Sequence, residues 1–189
     1  MPRTPTEDSQ LLEHLSEVFR EHGYEGASLS LISDATGLGR ASLYHHFPGG
    51  KAEMALAVLR HIDGRLASEV LSPLSQTGKP ETRVRKVAER LTDFYMRGTF
   101  SCLLDTLSLG DPNTELRAAV KASFEGLLEA FAKVSREAGL APSQAKRRAA
   151  DAVIRIQGSV VMARATGDTK PFLRTMKGLP QLLTSRGDR

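Results

Sequence analysis

The 189-residue chain carries 26 Lys and Arg against 22 Asp and Glu, one cysteine and no tryptophan, with a pI near 9.4. A single cysteine excludes an internal disulfide framework and suits a reducing cytoplasm, while no apolar run approaches a membrane span and Met1-Pro-Arg-Thr-Pro5 lacks the apolar core of a signal peptide. The length allows one large or two small domains with a real core; the wealth of aliphatic residues and alanine, with few aromatics, suits an all-α protein, and the cysteine count and lack of a span or signal peptide lead us to expect a soluble, cytoplasmic one.

Residues 1–8 read as a flexible arm bearing Arg3. A first helix is predicted over about 9–22, with Leu11, Leu15, Val18, Phe19 and His22 as its apolar stripe and His22 packed rather than ligating. Glu13, Glu17 and Glu21 recur at every fourth position and share another face. Ser28 is a good N-cap for a second helix, whose Leu29, Ile32 and Ala35 fall at helical spacing. Gly37 stands where the chain must reverse, because glycine tolerates the positive φ of a helix end. Gly39 is then the N-cap of a third helix, in which Leu43 and Phe47 face inward together. Arg40, Ser42, Tyr44, His45 and His46 are left outside.

A short helix, a tight turn and a second short helix with an uncommitted polar face are the build of a helix-turn-helix DNA reader. In that geometry the start of the second of the two enters the major groove. Arg40 is the side chain best suited to bond guanine or a phosphate bidentately; Ala41 and Ser42 let the backbone approach; Tyr44, His45 and His46 offer polar tips. Lys51, at the start of the next helix, would hold a backbone phosphate together with that helix's amides, and Arg3 would touch the DNA backbone or minor groove. The plain alternatives are a packing unit without DNA and a solvated His-His pair. A metal site at His45 and His46 is disfavoured, since adjacent helical residues diverge by about 100° and no acidic or Cys partner lies nearby in sequence.

Bulk charge does not support this reading; the motif does. Residues 1–60 carry five Lys and Arg against eight Asp and Glu, and the remainder 21 against 14. The glutamate face of the first helix must therefore point away from phosphates.

Lys51 opens a fourth helix in which Met54, Val58, Ile62 and Leu66 repeat near the helical period. The turn-rich stretch 72–80 marks a boundary, giving a helix-turn-helix domain over 1–50, a linking helix over 51–72 and a ligand-binding and dimerisation domain over 73–189. Helices are predicted at about 81–97, 101–109, 113–138, 143–166 and 169–185, with no strand pattern. Ala149, Ala150, Val153, Ile156, Gln157, Val160, Val161 and Ala163 make a small-residue stripe suited to a bundle seam, against the alternative of an ordinary monomer core. A homodimer also follows from a palindromic operator, which twofold-related heads read.

Phe19…Gly23-Tyr24, Ser28-Leu29…Ile32, Thr36-Gly37-Leu38, Ser42-Leu43-Tyr44-His45-His46-Phe47 and Gly50-Lys51 together resemble the N-terminal domain of the TetR family of bacterial transcriptional regulators. Two departures stand out: Gly39 replaces the family's usual Ser or Thr, and Ser33 its usual Ala. Ser101-Cys102-Leu103-Leu104, Asp168–Phe172 and Gly178–Leu183 resemble the body of the LmrA/YxaF-like branch. The resemblance implies a helix-turn-helix domain joined to a larger helical body that dimerises through its last two helices. It also implies an apolar effector cavity, for which Phe94, Tyr95, Phe100, Leu104, Leu107, Phe124, Leu128, Phe131, Gln157 and Met162 are the candidates; each alone also fits ordinary core. Cys102 reads as structural rather than as a redox sensor.

The expected function is a transcriptional regulator, foremost a repressor that leaves its operator DNA when a small apolar or amphipathic effector binds the body. The alternative is a helical carrier with no specific DNA affinity. No phosphate loop, HExxH, nucleophile elbow or Cys/His metal set is present, so neither an enzyme nor a cofactor or metal is expected.

Overall fold

The computed structural model of the chain describes residues 5–109 and 113–186, with side chains from residue 8 onward, and contains helices and turns without a strand among them. The helices are α1 (Pro5–Gly26), α2 (Leu29–Thr36), α3 (Arg40–His46), α4 (Gly50–Arg65), α5 (Pro80–Phe94), α6 (Leu103–Ser108), α7 (Thr114–Glu137), α8 (Pro142–Thr166) and α9 (Lys170–Thr184). The all-α expectation holds, and most boundaries fall within a few residues of the predicted ones. Pro5–Asp8, predicted as part of an arm, already belong to α1, because Pro5 is pre-set for a first helical turn. Arg3 lies outside the described residues.

The chain divides into two compact units: residues 1–64 with 103–123, and residues 65–102 with 124–189. In the first, Leu15, Phe19, Ile32, Leu43, Met54 and Leu107 are fully enclosed. Helix α1 packs on both α2 and α6. At Gly23 the backbone swings to φ 68°, ψ −179°, which breaks the helical path and re-aims the last residues of α1 toward α2. Two predicted core positions are instead outside. His22 is exposed, with Nε2 3.8 Å from Glu21, because the Gly23 break ends the packed stripe at Phe19. Ala35 is also exposed; Ile32 alone anchors α2, a helix too short to bury three positions.

In the second unit α9 packs on α5 and on α8. Phe131, Phe172, Val84, Val87 and Leu183 are completely buried there. Helix α5 ends at Phe94, not at 97, because Met96 and Arg97 take φ of 44° and 58°. Gly98 continues that run at φ 95°, and a Cβ added to it would stand 2.9 Å from the Phe172 ring. The chain reverses there against an aromatic cluster in which the Tyr95 ring meets Phe94 and Phe172 edge-on, with centroids 5.5 and 6.0 Å apart. The Tyr95 hydroxyl points to buried Cys102, 3.5 Å from Sγ.

Candidate nucleic-acid interface

The reading head is built from cap to tip. Ser28, extended at φ −73°, accepts the Leu31 amide hydrogen at 3.2 Å and starts α2. Gly37 ends it in the left-handed conformation at φ 68°. Thr36 Oγ1 donates to the Ile32 carbonyl at 2.7 Å, and Ser33 Oγ donates to the Leu38 carbonyl at 2.6 Å, so the turn is latched by two hydroxyls. Ser33, a departure from the family pattern, is therefore a working part of this turn. Gly39 is the extended N-cap of α3 and makes no side-chain cap bond.

Leu43 and Phe47 tie α3 to the core, as expected from their spacing. Arg40, Ala41, Tyr44, His45 and His46 are exposed and Ser42 is half-exposed. Arg40 and Tyr44 stand four apart, as do Ala41 and His45, so they form two exposed rows about 100° apart, with Ser42 and His46 as a third row beyond them. None of the six predicted contact residues on α3 is consumed by the fold.

The start of α4 is more occupied than its sequence suggests. Gly50 turns at φ 66° beneath the Tyr44 ring, whose Cε1 would lie 3.4 Å from a Cβ at that position. Glu53 reaches back to accept the Gly49 amide hydrogen at 2.7 Å. Lys51 donates to the Glu25 carbonyl at 3.3 Å, and its ammonium sits 4.7 Å from the centre of the Tyr24 ring. Tyr24 stacks on Phe19 at 6.4 Å. Burial, reinforced by the Glu25 charge, raises the Tyr24 phenol above its ordinary value and keeps it neutral under the Lys51 cation. Sequence reasoning missed Glu25, Tyr24 and Glu53 as partners here. The signal that finds Glu53 is its position four residues after Gly49, one helical turn into α4, from which a carboxylate reaches back to the first free amides.

Further along α4, His61 Nε2 lies 2.9 Å from Glu13 on α1, so one member of the glutamate face is drawn into the helix packing. Asp63 accepts the Ser123 hydroxyl hydrogen at 2.6 Å. Burial raises the Asp63 carboxyl above its ordinary 3.8, and the Ser123 bond pulls partly the other way. An acid whose folded value is the higher one favours the folded state fully below its unfolded value, and loses that contribution as pH rises through the folded value. Ionised Asp63 is therefore a cost at neutral pH. Asp63→Asn, which keeps the acceptor, is expected to raise the thermal midpoint at pH 7, with the two proteins converging as pH falls below 3.8, as paired melting curves would register.

The predicted ligand-lining residues are distributed more widely. Leu104 and Leu107 are buried in the first unit, and the other eight belong to the second. Among those eight, Tyr95 and Phe131 are buried, Phe94, Phe100, Phe124, Leu128 and Gln157 are half-buried, and Met162 is 52% exposed. Phe94 meets Tyr95 and also walls a pocket of about 270 Å³ with Arg65, Glu69, Val70, Arg90 and Asp93. The buried Gln157 Nε2 and Ser135 Oγ make no hydrogen bond among the described residues. No group of three His, Cys, Asp or Glu side chains among the described residues is arranged to hold a metal ion.

A capped short helix, a latched turn and a second short helix with an uncommitted polar face, carried on an all-helical chain, define a helix-turn-helix transcription regulator. Residues 11–58 match the model of the tetR family of bacterial regulatory proteins, and residues 80–178 that of the C-terminal domain of LmrA/YxaF-like transcriptional regulators. The chain belongs to this family of DNA-binding transcriptional regulators and is not an enzyme. It is 34% identical to the transcriptional activator FasR of Mycolicibacterium smegmatis over 141 residues, 72% of this chain and 63% of FasR. It is 23% identical to the regulator LmrA of Bacillus subtilis over 183 residues, 92% of this chain and 95% of LmrA. A cysteine mutant of the TetR-family regulator CifR, solved with a 26-bp double-strand operator DNA, shares the fold with a TM-score of 0.75 and 24% identity over 96% of this chain and 98% of CifR. Among the described residues no helix is long and apolar enough to cross a membrane.

Proposed function

We propose that this regulator is a cytoplasmic homodimeric repressor that grips a palindromic operator through two copies of α3 and releases it when an effector binds the second unit. The observation that carries the DNA part is the exposed face of Arg40, Ala41, Tyr44 and His45 on a helix whose opposite side is pinned by Leu43 and Phe47. Arg40 reads a base or phosphate, Tyr44 and His45 add contacts beside it, and Ser28, Gly39, Ser42 and His46 border the docked backbone. The first unit carries seven Lys and Arg against twelve Asp and Glu, so directed contacts rather than net charge must supply the affinity.

The dimer rests on α8. Its core face is formed by Ala145, Ala149, Ala152, Ile156 and Ala163, yet Ile154, Val161 and Met162 stand 68%, 50% and 52% exposed on other sides. A helix apolar on two faces has a second surface to cover. A twofold mate covers it and sets the two heads one or more helical turns of DNA apart, about 34 Å or a multiple. Gln157, on the same helix, supports an effector site through a buried amide nitrogen available to a ligand acceptor. An effector that binds the DNA-incompetent arrangement more tightly empties the operator; the same physics serves activation, the mode in FasR's name.

Selection from a pool of random duplexes at moderate salt tests the reading directly. One recovered palindrome supports it, and recovery of nothing above background overturns it in favour of a carrier. On the recovered site, Arg40→Ala is expected to weaken binding about tenfold or more and relax one base position. Lys51→Ala is expected to weaken all sequences alike and shallow the salt dependence. A change of preference in the second variant would move Lys51 from phosphate to base contact.

A further inference from the structure

The anchors of α3 are Leu43 and Phe47, in its second half and at its end. Arg40 and Ala41 are exposed and Ser42 half-exposed, so no buried side chain holds the first turn of the helix on the core. Capping does not hold that turn either. Ser28 opens α2 with an oxygen that accepts the Leu31 amide hydrogen, but Gly39 opens α3 with no side-chain acceptor. Among the described residues Gly39 makes one hydrogen bond, accepting the Leu43 amide hydrogen at 3.0 Å, and that bond lies within the helix. The fold does not require glycine here. Residue 39 has φ −66° and ψ 158°, and a Cβ at that position would meet nothing within 4 Å.

What fixes the start of α3 is the residue before Gly39. Leu38 is held at both of its backbone polar groups by hydroxyls of α2: its carbonyl accepts from Ser33 Oγ at 2.6 Å, and its amide hydrogen reaches Thr36 Oγ1 at 3.4 Å. The first of these is the shorter and stronger. Ser33 is half-buried and five residues from Leu38, so its bond closes the turn from within α2 to the threshold of α3. Because the Leu38–Gly39 peptide is planar, fixing the Leu38 carbonyl fixes the plane from which Gly39 and the Arg40 backbone depart. A directed contact such as that of Arg40 with a base tolerates displacement of only about 0.5 Å. Attraction of cations to the phosphate backbone is far less exacting. A latch on the Leu38 carbonyl therefore bears on sequence reading rather than on general adhesion to DNA.

We infer that Ser33 is a positioning residue for operator recognition, and that its bond to the Leu38 carbonyl stands in for the cap that Gly39 cannot supply. The inference rests on the reading of α3 as the recognition helix. Binding of the full-length protein to the selected palindrome and to an unrelated duplex of equal length, at one salt concentration, tests it. Ser33→Ala is expected to weaken the palindrome about three- to tenfold and to leave the unrelated duplex within about twofold of the parent, a split that partial unfolding does not produce. Gly39→Ser supplies the missing acceptor, so on that background Ser33→Ala should cost less than about twofold. Equal losses on both duplexes, or the same loss of palindrome affinity on both backgrounds, would overturn the proposal. Arg40→Ala, measured in parallel, separates the latch from the reading beneath it. If Arg40→Ala weakens the palindrome and Ser33→Ala does not, the latch alone fails; if neither does, α3 is not the reader.

Discussion

Val161→Asp is expected to give a folded monomer whose operator affinity falls by about 10²–10⁴. Val161 is half exposed within the subunit, on the face of α8 turned away from buried Ala149, Ala152, Ile156 and Ala163. A carboxylate there costs the isolated fold little, because the side chain remains in water. In a twofold seam the same carboxylate is desolvated and meets its own copy or an apolar neighbour, and neither satisfies it. The loss is large because two linked readers engage an operator with an affinity far above that of one head. Sedimentation checks the association state, and binding to the selected palindrome checks the affinity. If Val161→Asp stayed dimeric, the second apolar face of α8 would not be the seam. If it became monomeric yet held the palindrome unchanged, two heads would not be what the operator requires. Either result is separable from misfolding by the thermal midpoint, which is expected to stay near that of the parent.

The head of the molecule was legible in the sequence because its logic is local. Ser28, Gly37, Gly39, Leu43 and Phe47 act through caps, turn angles and four-residue spacing, and each does in the structure what its neighbours in sequence imply. The failures share a different cause. His22 and Ala35 fit a helical stripe, but the Gly23 break and the shortness of α2 decide how much of that stripe finds a partner. Spacing says which residues share a face; it does not say where the face ends. The contacts of Lys51 with Glu25 and Tyr24 are not legible in the same way, because they arise only when the end of α1 meets the start of α4, and the proposed phosphate contact starts from that held position. The body was legible in class and not in detail. Phe94, Phe131 and Met162 have similar local sequence signatures, yet one walls a pocket, one is fully enclosed and one is mostly in water. Apolar residues at helical spacing describe any core, and only the packing of several helices separates a wall from an outer face.

Arg83→Ala is expected to destabilise the second unit by about 3 kcal/mol, lowering the urea midpoint by about 1 M or more. Arg83 is only 8% exposed and lies on the first turn of α5. One guanidinium nitrogen donates to the Leu74 carbonyl at 2.7 Å and the Gln76 carbonyl at 3.3 Å; the other is paired with Glu137 at the end of α7. A single planar fork therefore fastens the 72–76 turn to α5 and α7, a geometry that lysine does not reproduce. Alanine strips the buried Leu74 carbonyl of its donor, opens a cavity and leaves Glu137 unpaired, though Glu137 is 37% exposed and water replaces part of its loss. Removing the acid instead, by Glu137→Gln, keeps the fork on both carbonyls and is expected to cost only about 1 kcal/mol. Arg83 Nε is itself buried without a hydrogen bond among the described residues, so the native arrangement already carries one unmet donor. Arg83→Met removes that donor while filling most of the space, and its midpoint should fall between those of the parent and Arg83→Ala. A ranking in which Glu137→Gln equals Arg83→Ala would make the ion pair, and not the carbonyl clamp, the reason this arginine is buried.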